Sequence, residues 1–178
     1  VRTESTNPGT GEAGMEKIIL DSLRESGAET EEYEVFPGRS IVRGMIRGKR
    51  RHPALVFLCH MDTVVVGEGW SEDPFSARVS GGRILGRGSC DMKSGLACAL
   101  TAFCEEAERK TSELRPEHSI VFIGTVDEEG NMAGAEAAVS QKWISPEDWV
   151  LDMEPTSGMI QMAHKGRTWF ELECRGIT

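Results

Sequence analysis

The amino-acid sequence predicts an α/β fold, in which a three-layer mixed and largely parallel sheet carries helices on both faces. Apolar runs of strand length alternate along the chain with longer segments whose apolar residues recur at helical spacing. The run at 53–60 is almost unbroken, as is typical of a strand that is covered on both faces of a sheet. Strands that alternate with helices form parallel pairs joined by crossovers, so the two observations together favour the α/β class.

The predicted elements follow one another from the N-terminus. After a turn-rich lead-in at 5–14, residues 15–27 have the spacing of an amphipathic helix that ends in Gly27, a suitable C-cap. The stretches 33–36 and 40–48 predict a pair of strands. The remaining elements, in chain order, are a strand at 53–60, a hairpin at 77–88, a helix at 92–110, a strand at 118–126, a helix at 133–143, a strand at 148–153 and an alternating, half-exposed strand at 167–178.

The composition limits the classes of partner and compartment. Lys and Arg together number 20 against 29 Asp and Glu, which gives a net charge of −9. Nucleic acid and anionic membranes prefer a basic surface, so neither is expected as a partner. No apolar run approaches the ~20 residues of a membrane-spanning helix. The five cysteines are odd in number and include no CxxC pair, which predicts reduced thiols in a cytoplasmic protein.

Side chains that can bind metal follow three of the predicted strands. In open α/β sheets, ligands bind beyond the carboxyl ends of the strands. The side chains at these ends are therefore expected to converge on one spot. They are His60 and Asp62 after the first buried strand, Asp127, Glu128 and Glu129 after the second, Asp152 and Glu154 after the third, and Asp91 just before a helix.

Such a cluster of acids is unfavourable unless cations are present. Like charges at the end of a buried strand repel one another and resist desolvation. Two bound divalent cations would reverse this, because a carboxylate beside a dication is stabilised as an anion. One imidazole together with several carboxylates suits zinc, with cobalt or manganese as substitutes.

Each of these residues also has a purely structural interpretation. His60 can be a core histidine, but Asp62 two residues later lies on the same face of an extended strand and can hold the imidazole ring. Asp91 can be the N-cap of the helix that starts at Met92. Glu128 and Glu129 can be first-turn acids that complement a helix dipole, and Glu154 can be a loop residue before Pro155. If these residues form no functional site, all four structural interpretations have to hold at the same time.

Other catalytic motifs are absent from the sequence. The stretch 86–94, "GRGSCDMKS", is not a phosphate-binding loop, because Met92 rather than Gly precedes Lys93. No G-x-S-x-G nucleophile elbow occurs. A serine or cysteine hydrolase is therefore the weaker enzyme hypothesis.

These motifs together make the sequence resemble a family of two-zinc amidohydrolases and exopeptidases. The family includes acetylornithine deacetylase, succinyl-diaminopimelate desuccinylase, aminoacylase and glutamate carboxypeptidase. The resemblance implies that the fold is the zinc-exopeptidase-like sheet. The blocks that carry it, in the family's order, are "HMDTV" (60–64), "GWSEDPFSARVSGGRILGRGSCDMKSG" (69–95), "TVDEEG" (125–130) and "DMEPTSG" (152–158).

The resemblance implies a role for each site residue. The cofactors would be two zinc ions, and the peptide bond between Asp91 and Met92 would be cis. Asp127 is left without a role beyond a contact at the start of a helix. The implied assignments are His60 and Glu154 as ligands of one zinc, Asp91 as the bridge between both, Glu129 as a ligand of the second, Glu128 as the general base and Asp62 as the residue that orients His60.

The implied function is metal-dependent hydrolysis of the amide bond of N-acyl amino acids or short peptides, as in the deacetylase and the desuccinylase. A dipeptidase or carboxypeptidase of the same family is the first alternative. A non-catalytic metal-binding module is the second.

The resemblance also implies that the sequence is the N-terminal part of a longer enzyme. The family has a second histidine ligand far downstream, after an inserted lid domain. We expect residues 1–163 to be the N-terminal part of the catalytic domain and 164–178 the first strand of the lid. The 178-residue piece alone is expected to be inactive, and the parent protein to be a homodimer through its lid domain.

Overall fold

A five-stranded mixed sheet carries the fold of the computed structural model, which describes residues 1–109, 115–163, 165–166, 168 and 170–176. A separate two-stranded hairpin lies beside it. The strands are β1 (Glu29–Phe36), β2 (Arg39–Ile46), β3 (Arg50–His60), β4 (Arg78–Ser80), β5 (Arg83–Leu85), β6 (His118–Thr125) and β7 (Trp149–Asp152). The helices are α1 (Ala13–Glu25), α2 (Lys93–Glu108) and α3 (Ala133–Ser140).

The strand order of the sheet is β1-β2-β6-β3-β7. β1 pairs with β2, and β2 with β6, in antiparallel fashion, whereas β3 is parallel to both β6 and β7. The predicted mixed sheet is confirmed, with its parallel part made by β6, β3 and β7. In the register, Thr125 lies opposite His60 and Asp152 opposite Leu58. The carboxyl ends of the three parallel strands therefore meet at one edge of the sheet.

Helices cover both faces of the sheet, as the sequence predicts. α1 and α2 contact each other; α1 packs against β1 and β2, and α2 against β3 and β6. Gly44 of β2 makes room for them, because a Cβ there would meet Leu23 and Phe103. Neighbouring residues of a strand point to opposite faces. Arg43 accordingly faces the other side, where its guanidinium stacks on Trp143 just after α3.

The largest buried side chains fill the space between the sheet and the pair α1 and α2. Phe103 of α2 meets Phe122 of β6 in a tilted arrangement with ring centroids 6.1 Å apart, a favourable geometry for two aromatic rings. Further fully buried side chains are those of Ile19, Leu23, Met61 and Met92. The core thus lies directly behind the edge at which the parallel strands end.

The ends of α1 and α2 test two sequence predictions. Gly27 has a left-handed φ of +74°, and its N–H bonds to the Arg24 carbonyl while that of Ala28 bonds to Leu23. This pattern is a Schellman cap, so the predicted C-cap is confirmed. α2 has Met92 at its N-cap position and no side-chain cap. The interpretation of Asp91 as an N-cap is therefore wrong.

No strand is found among the described residues of the stretch 167–178. Residues 168 and 170–176 have no strand partner, and Phe170 and Leu172 are 84% and 92% exposed. A strand requires a neighbour for its hydrogen bonds, and alternation of apolar and polar residues does not supply one. Positions 167, 169, 177 and 178 of that stretch lie outside the described residues, as does residue 110 at the predicted end of α2. None of the helices above is long and apolar enough to cross a membrane.

Candidate metal centre

His60 is the last residue of β3, and its side chain is buried at the edge where the parallel strands end. Nδ1 lies 2.8 Å from the main-chain carbonyl of Asp62, to which its N–H donates. That bond orients the ring and leaves Nε2 as the nitrogen that can bind metal. Nε2 lies 3.1 Å from Asp91 Oδ1 and 3.4 Å from Glu154 Oε1. The imidazole thus points the nitrogen that can bind metal at two carboxylates.

The carboxylate of Asp62 has partners besides the one that the resemblance implies. Its Oδ1 lies at ion-pair distance from Nδ1 of His60, 3.6 Å, while the main-chain carbonyl of Asp62 accepts the hydrogen bond of the ring. The carboxylate also accepts the backbone N–H groups of Glu128 at 3.2 Å and Glu129 at 3.1 Å. Asp62 therefore joins the end of β3 to the turn that follows β6.

Asp91 reaches the centre from the turn before α2. The peptide bond between Asp91 and Met92 is cis, as the resemblance implies. Met92 is fully buried, whereas 58% of the Asp91 side chain is exposed. The carboxylate of Asp91 therefore stands between the buried His60 and solvent.

The three acids after β6 lie in a turn, and Asp127 shapes it. Asp127 has a left-handed φ of +65°, its Oδ2 accepts the N–H of Asn131 at 3.1 Å, and its carbonyl accepts that of Met132 at 2.6 Å. These bonds lead the chain into α3, which begins at Ala133. Glu128 and Glu129 precede that helix by several residues, so the first-turn interpretation of these two acids is wrong.

Two groups of side chains among the described residues bring their ligand atoms within 4.8 Å of one another. One group is His60, Asp91 and Glu129, and the other is His60, Glu128 and Glu154. Five of the predicted side chains thus converge, whereas Asp62, Asp127 and Asp152 belong to neither group. Glu128 lies close enough to His60 and Glu154 to be a ligand.

The electrostatics of the centre favour bound cations. Burial raises the pKa of Glu154 to about 7 against the opposing charge of His60, and burial also raises the pKa of Glu129. Burial by itself lowers the pKa of His60, but contacts with Asp62 and Asp91 outweigh it and raise this pKa to about 11. A divalent cation would oppose these pKa shifts, because it favours the ionised form of the carboxylates and the neutral form of the His60 imidazole. The donor set of one imidazole and several carboxylates fits such an ion.

A second set of polar residues lies behind the centre and was missed by the sequence reasoning. Glu12 is fully buried, and both its oxygens accept hydrogen bonds of 2.6 Å from Arg39. Glu12 also accepts the backbone N–H of Asp127 at 3.2 Å. Asn7 donates to Asp62 and to Asp127. The lead-in at 5–14 has only its turn residues as a signal, and these do not predict a contact with strand ends more than 50 positions away.

Comparison with known proteins matches these residues to a family. A model described as peptidase family M20/M25/M40 matches residues 56–164, which include all of the predicted site residues. Succinyl-diaminopimelate desuccinylase of Gluconobacter oxydans is 36% identical over 131 residues, which are 73% of this chain and 33% of that protein. The chain spans between 33% and 45% of the length of the curated relatives that it matches.

Solved structures show the same fold. An M20 family metallo-carboxypeptidase from Sulfolobus solfataricus gives a TM-score of 0.68 at 19% identity, over 85% of this chain and 34% of that one. A dinuclear metal-binding M20 peptidase from Bacillus subtilis gives 0.59 at 19% identity, over 85% of this chain and 39% of that one. The family model covers more than half of the sequence, and the chain therefore belongs to peptidase family M20/M25/M40.

Proposed function

We propose that the protein to which this chain belongs is a metal-dependent hydrolase of the amide bond in N-acyl amino acids or short peptides. The main support is the convergence of His60 with carboxylates from two other strand ends, in two overlapping groups that share His60 and that could each hold an ion. The desuccinylase relatives support an N-acyl amino acid as the substrate. Zinc is the proposed metal, with cobalt or manganese as substitutes, because of the single imidazole and the several carboxylates.

The position of each residue supports its proposed ligand role. His60 Nε2 and Glu154 face each other across 3.4 Å and would hold one ion. Asp91, half exposed at the mouth of the centre, would be shared by both ions, and Glu129 would hold the second. Asp62 fixes the backbone of Glu128 and Glu129, so the carboxylates of both extend from an anchored turn.

Glu128 is the proposed general base. Metal ions bound here would supply Lewis acidity and a water of lowered pKa. Glu128 would take a proton from the attacking water and deliver it to the nitrogen of the leaving amine. For that task its carboxylate has to stay unligated although it lies beside Glu154 and His60.

The test of this function combines metal analysis with turnover of N-succinyl and N-acetyl amino acids by the whole protein. Glu128→Ala is expected to keep bound metal and to lose about 10²- to 10⁴-fold in kcat, which is the usual contribution of a general base. Near-normal turnover by this variant would show that Glu128 is not the base. Wild-type protein that binds metal but hydrolyses no amide would favour the non-catalytic metal-binding module.

A dipeptidase or carboxypeptidase activity is the second candidate. Its support is the shared fold with an M20 metallo-carboxypeptidase and with human carnosine dipeptidase 1, the latter at a TM-score of 0.64. Comparison of kcat/KM for N-acyl amino acids with that for dipeptides and C-terminally blocked peptides decides between the two. A cytoplasmic location is also proposed, because all five cysteines are free thiols.

A further inference from the structure

The N-terminal segment 5–12 runs beside the end of β3 and reaches the metal centre. Thr6 and Thr63 form a parallel bridge, in which the N–H of Thr63 bonds to the Ser5 carbonyl at 2.9 Å and that of Asn7 to the Thr63 carbonyl at 2.8 Å. The Ser5 hydroxyl donates to the Met61 carbonyl at 2.7 Å. The backbone of Asn7 is therefore held at a fixed distance from Asp62.

The side-chain amide of Asn7 lies between two buried carboxylates. Its Nδ2 is 2.9 Å from Oδ2 of Asp62 and 3.0 Å from Oδ1 of Asp127. Asp62 is 0% exposed and Asp127 6%. An amide nitrogen carries two N–H groups, so each carboxylate receives one donor. Without this group each of the two buried carboxylates would lose a hydrogen-bond donor, which is costly, although Arg39 lies 3.7 Å from the same oxygen of Asp127.

The two carboxylates that Asn7 joins control the turn after β6 from both ends. Asp62 accepts the backbone N–H groups of Glu128 and Glu129, and Asp127 accepts that of Asn131. Asn7 thus completes a chain of hydrogen bonds from the N-terminal segment to the backbone of both glutamates. It lies behind the turn and belongs to neither group of metal-binding side chains.

We propose that Asn7 is a positioning residue of the metal centre. Its amide holds Asp62 and Asp127 at the spacing at which the turn directs the carboxylates of Glu128 and Glu129 toward His60. The inference rests on the proposed function, in which these two glutamates act on the metal and on the proton. Effective catalysis requires close placement, and an error of 1 Å can cost about 10²-fold in rate.

Two substitutions separate hydrogen bonding from packing. Asn7→Asp keeps the size and shape of the side chain but replaces the amide donor by an acceptor between two carboxylates. Asn7→Ala removes the donor and the volume without adding charge. A residue that only fills space would tolerate Asn7→Asp better than Asn7→Ala, whereas a donor between two acceptors would tolerate Asn7→Asp no better. Gln141→Glu, an exposed amide-to-carboxylate change just after α3, is the matched control for the added charge.

The experiment measures four quantities in the whole protein at pH 7.5: kcat and KM for the preferred amide substrate, Zn²⁺ affinity in competition with a chelator, and the Tm of the metal-free protein. We expect Asn7→Asp to lower kcat about 10- to 100-fold with KM changed less than about threefold, and to weaken binding of the second Zn²⁺ about 10- to 100-fold. Gln141→Glu is expected to match the wild type in kcat, KM and Zn²⁺ affinity. Asn7→Ala is expected to lose kcat and Zn²⁺ affinity as well, and it decides by the same readouts if Asn7→Asp does not fold.

Wild-type kcat and Zn²⁺ affinity in Asn7→Asp would overturn the inference. A loss confined to Tm, with kcat and Zn²⁺ affinity intact, would overturn it as well, because it would show a structural role alone. If the wild-type protein itself neither binds Zn²⁺ nor hydrolyses an amide, the proposed function fails, whatever the variants do. The two failures are therefore distinguishable.

Discussion

Gly95→Ala is a sharp test of how α2 positions the metal centre. Gly95 lies in the first turn of α2, where an added Cβ would stand 2.1 Å from the carbonyl oxygen of Met153 and 3.1 Å from its carbonyl carbon. That carbonyl belongs to backbone that continues β7, since the Met153 N–H bonds to Leu58 at 3.1 Å. The next residue is Glu154, a proposed ligand. A methyl group at position 95 therefore presses on the segment that carries a ligand.

Two opposing effects determine the stability of this variant. Replacing Gly by Ala inside a helix stabilises it by about 1 kcal/mol. Relief of the contact needs a movement of about 1 Å in packed backbone, and such overpacking costs about 1–3 kcal/mol. We expect the overpacking to outweigh the gain, with a net loss in the free energy of unfolding of up to about 2 kcal/mol.

We expect Gly95→Ala to affect metal binding more strongly than it affects stability. Metal–ligand distances tolerate about ±0.2 Å, so a displacement of about 1 Å at Glu154 exceeds the tolerance. We expect the affinity for the ion shared by His60 and Glu154 to fall about 10- to 100-fold. Urea unfolding of the metal-free protein and chelator competition with Zn²⁺ measure the two quantities.

Gly166→Ala is the control, because a Cβ there meets nothing within 4 Å. It should leave both quantities unchanged. A Gly95→Ala protein that is more stable than the wild type and binds Zn²⁺ equally well would refute the reasoning, because α2 would then move away from Met153 without displacing Glu154.

Two further predictions concern buried charges away from the proposed ligands. Arg39→Met leaves the fully buried Glu12 without its bidentate partner and should lower the free energy of unfolding by about 3–5 kcal/mol in urea titrations; a loss under 1 kcal/mol would contradict it. The pKa of Asp148 is lowered because, although burial raises it, the N–H groups of Ala54 and Ser145 and the ring of His52 outweigh burial. Since a lowered pKa gives stability above the unfolded value of about 3.9 that is lost as pH falls through the folded value, Asp148→Asn should cost about 1–3 kcal/mol at pH 7. The difference in free energy of unfolding between Asp148→Asn and the wild type should become smaller below about pH 4. A difference that does not change with pH would contradict the lowered pKa of Asp148.

The sequence was sufficient to predict which residues converge, because that prediction depends on short-range pattern and one topological rule. The apolar run before His60 and the run before Asp127 indicate buried strands, and ligands collect beyond the carboxyl ends of such strands. The structure brings both ends together, with Thr125 opposite His60. No property of distant segments was needed.

The network behind the centre could not be predicted in that way. Asn7 contacts residues 55 and 120 positions away, and Glu12 contacts one 115 positions away. These contacts depend on how the N-terminal segment meets the finished sheet edge, which leaves no periodic trace in the sequence. The carbonyl that holds His60 was missed for another reason, since a main-chain acceptor is the same for every residue type. Asp62 was recognised for its carboxylate, while its carbonyl makes the contact with the ring.

The register of β7 has a consequence for how the finished fold is selected. Asp152 pairs with Leu58, so Glu154 comes level with His60, and a slip of β7 by one residue would turn Glu154 toward the opposite face. β7 is only four residues long, so within this chain it has few paired residues with which to discriminate between registers. A metal ion that binds only the aligned form adds about 2.7 kcal/mol in its favour when its concentration is 100 times the dissociation constant. A bound ion would thus stabilise the correct register of β7 in addition to its role in hydrolysis.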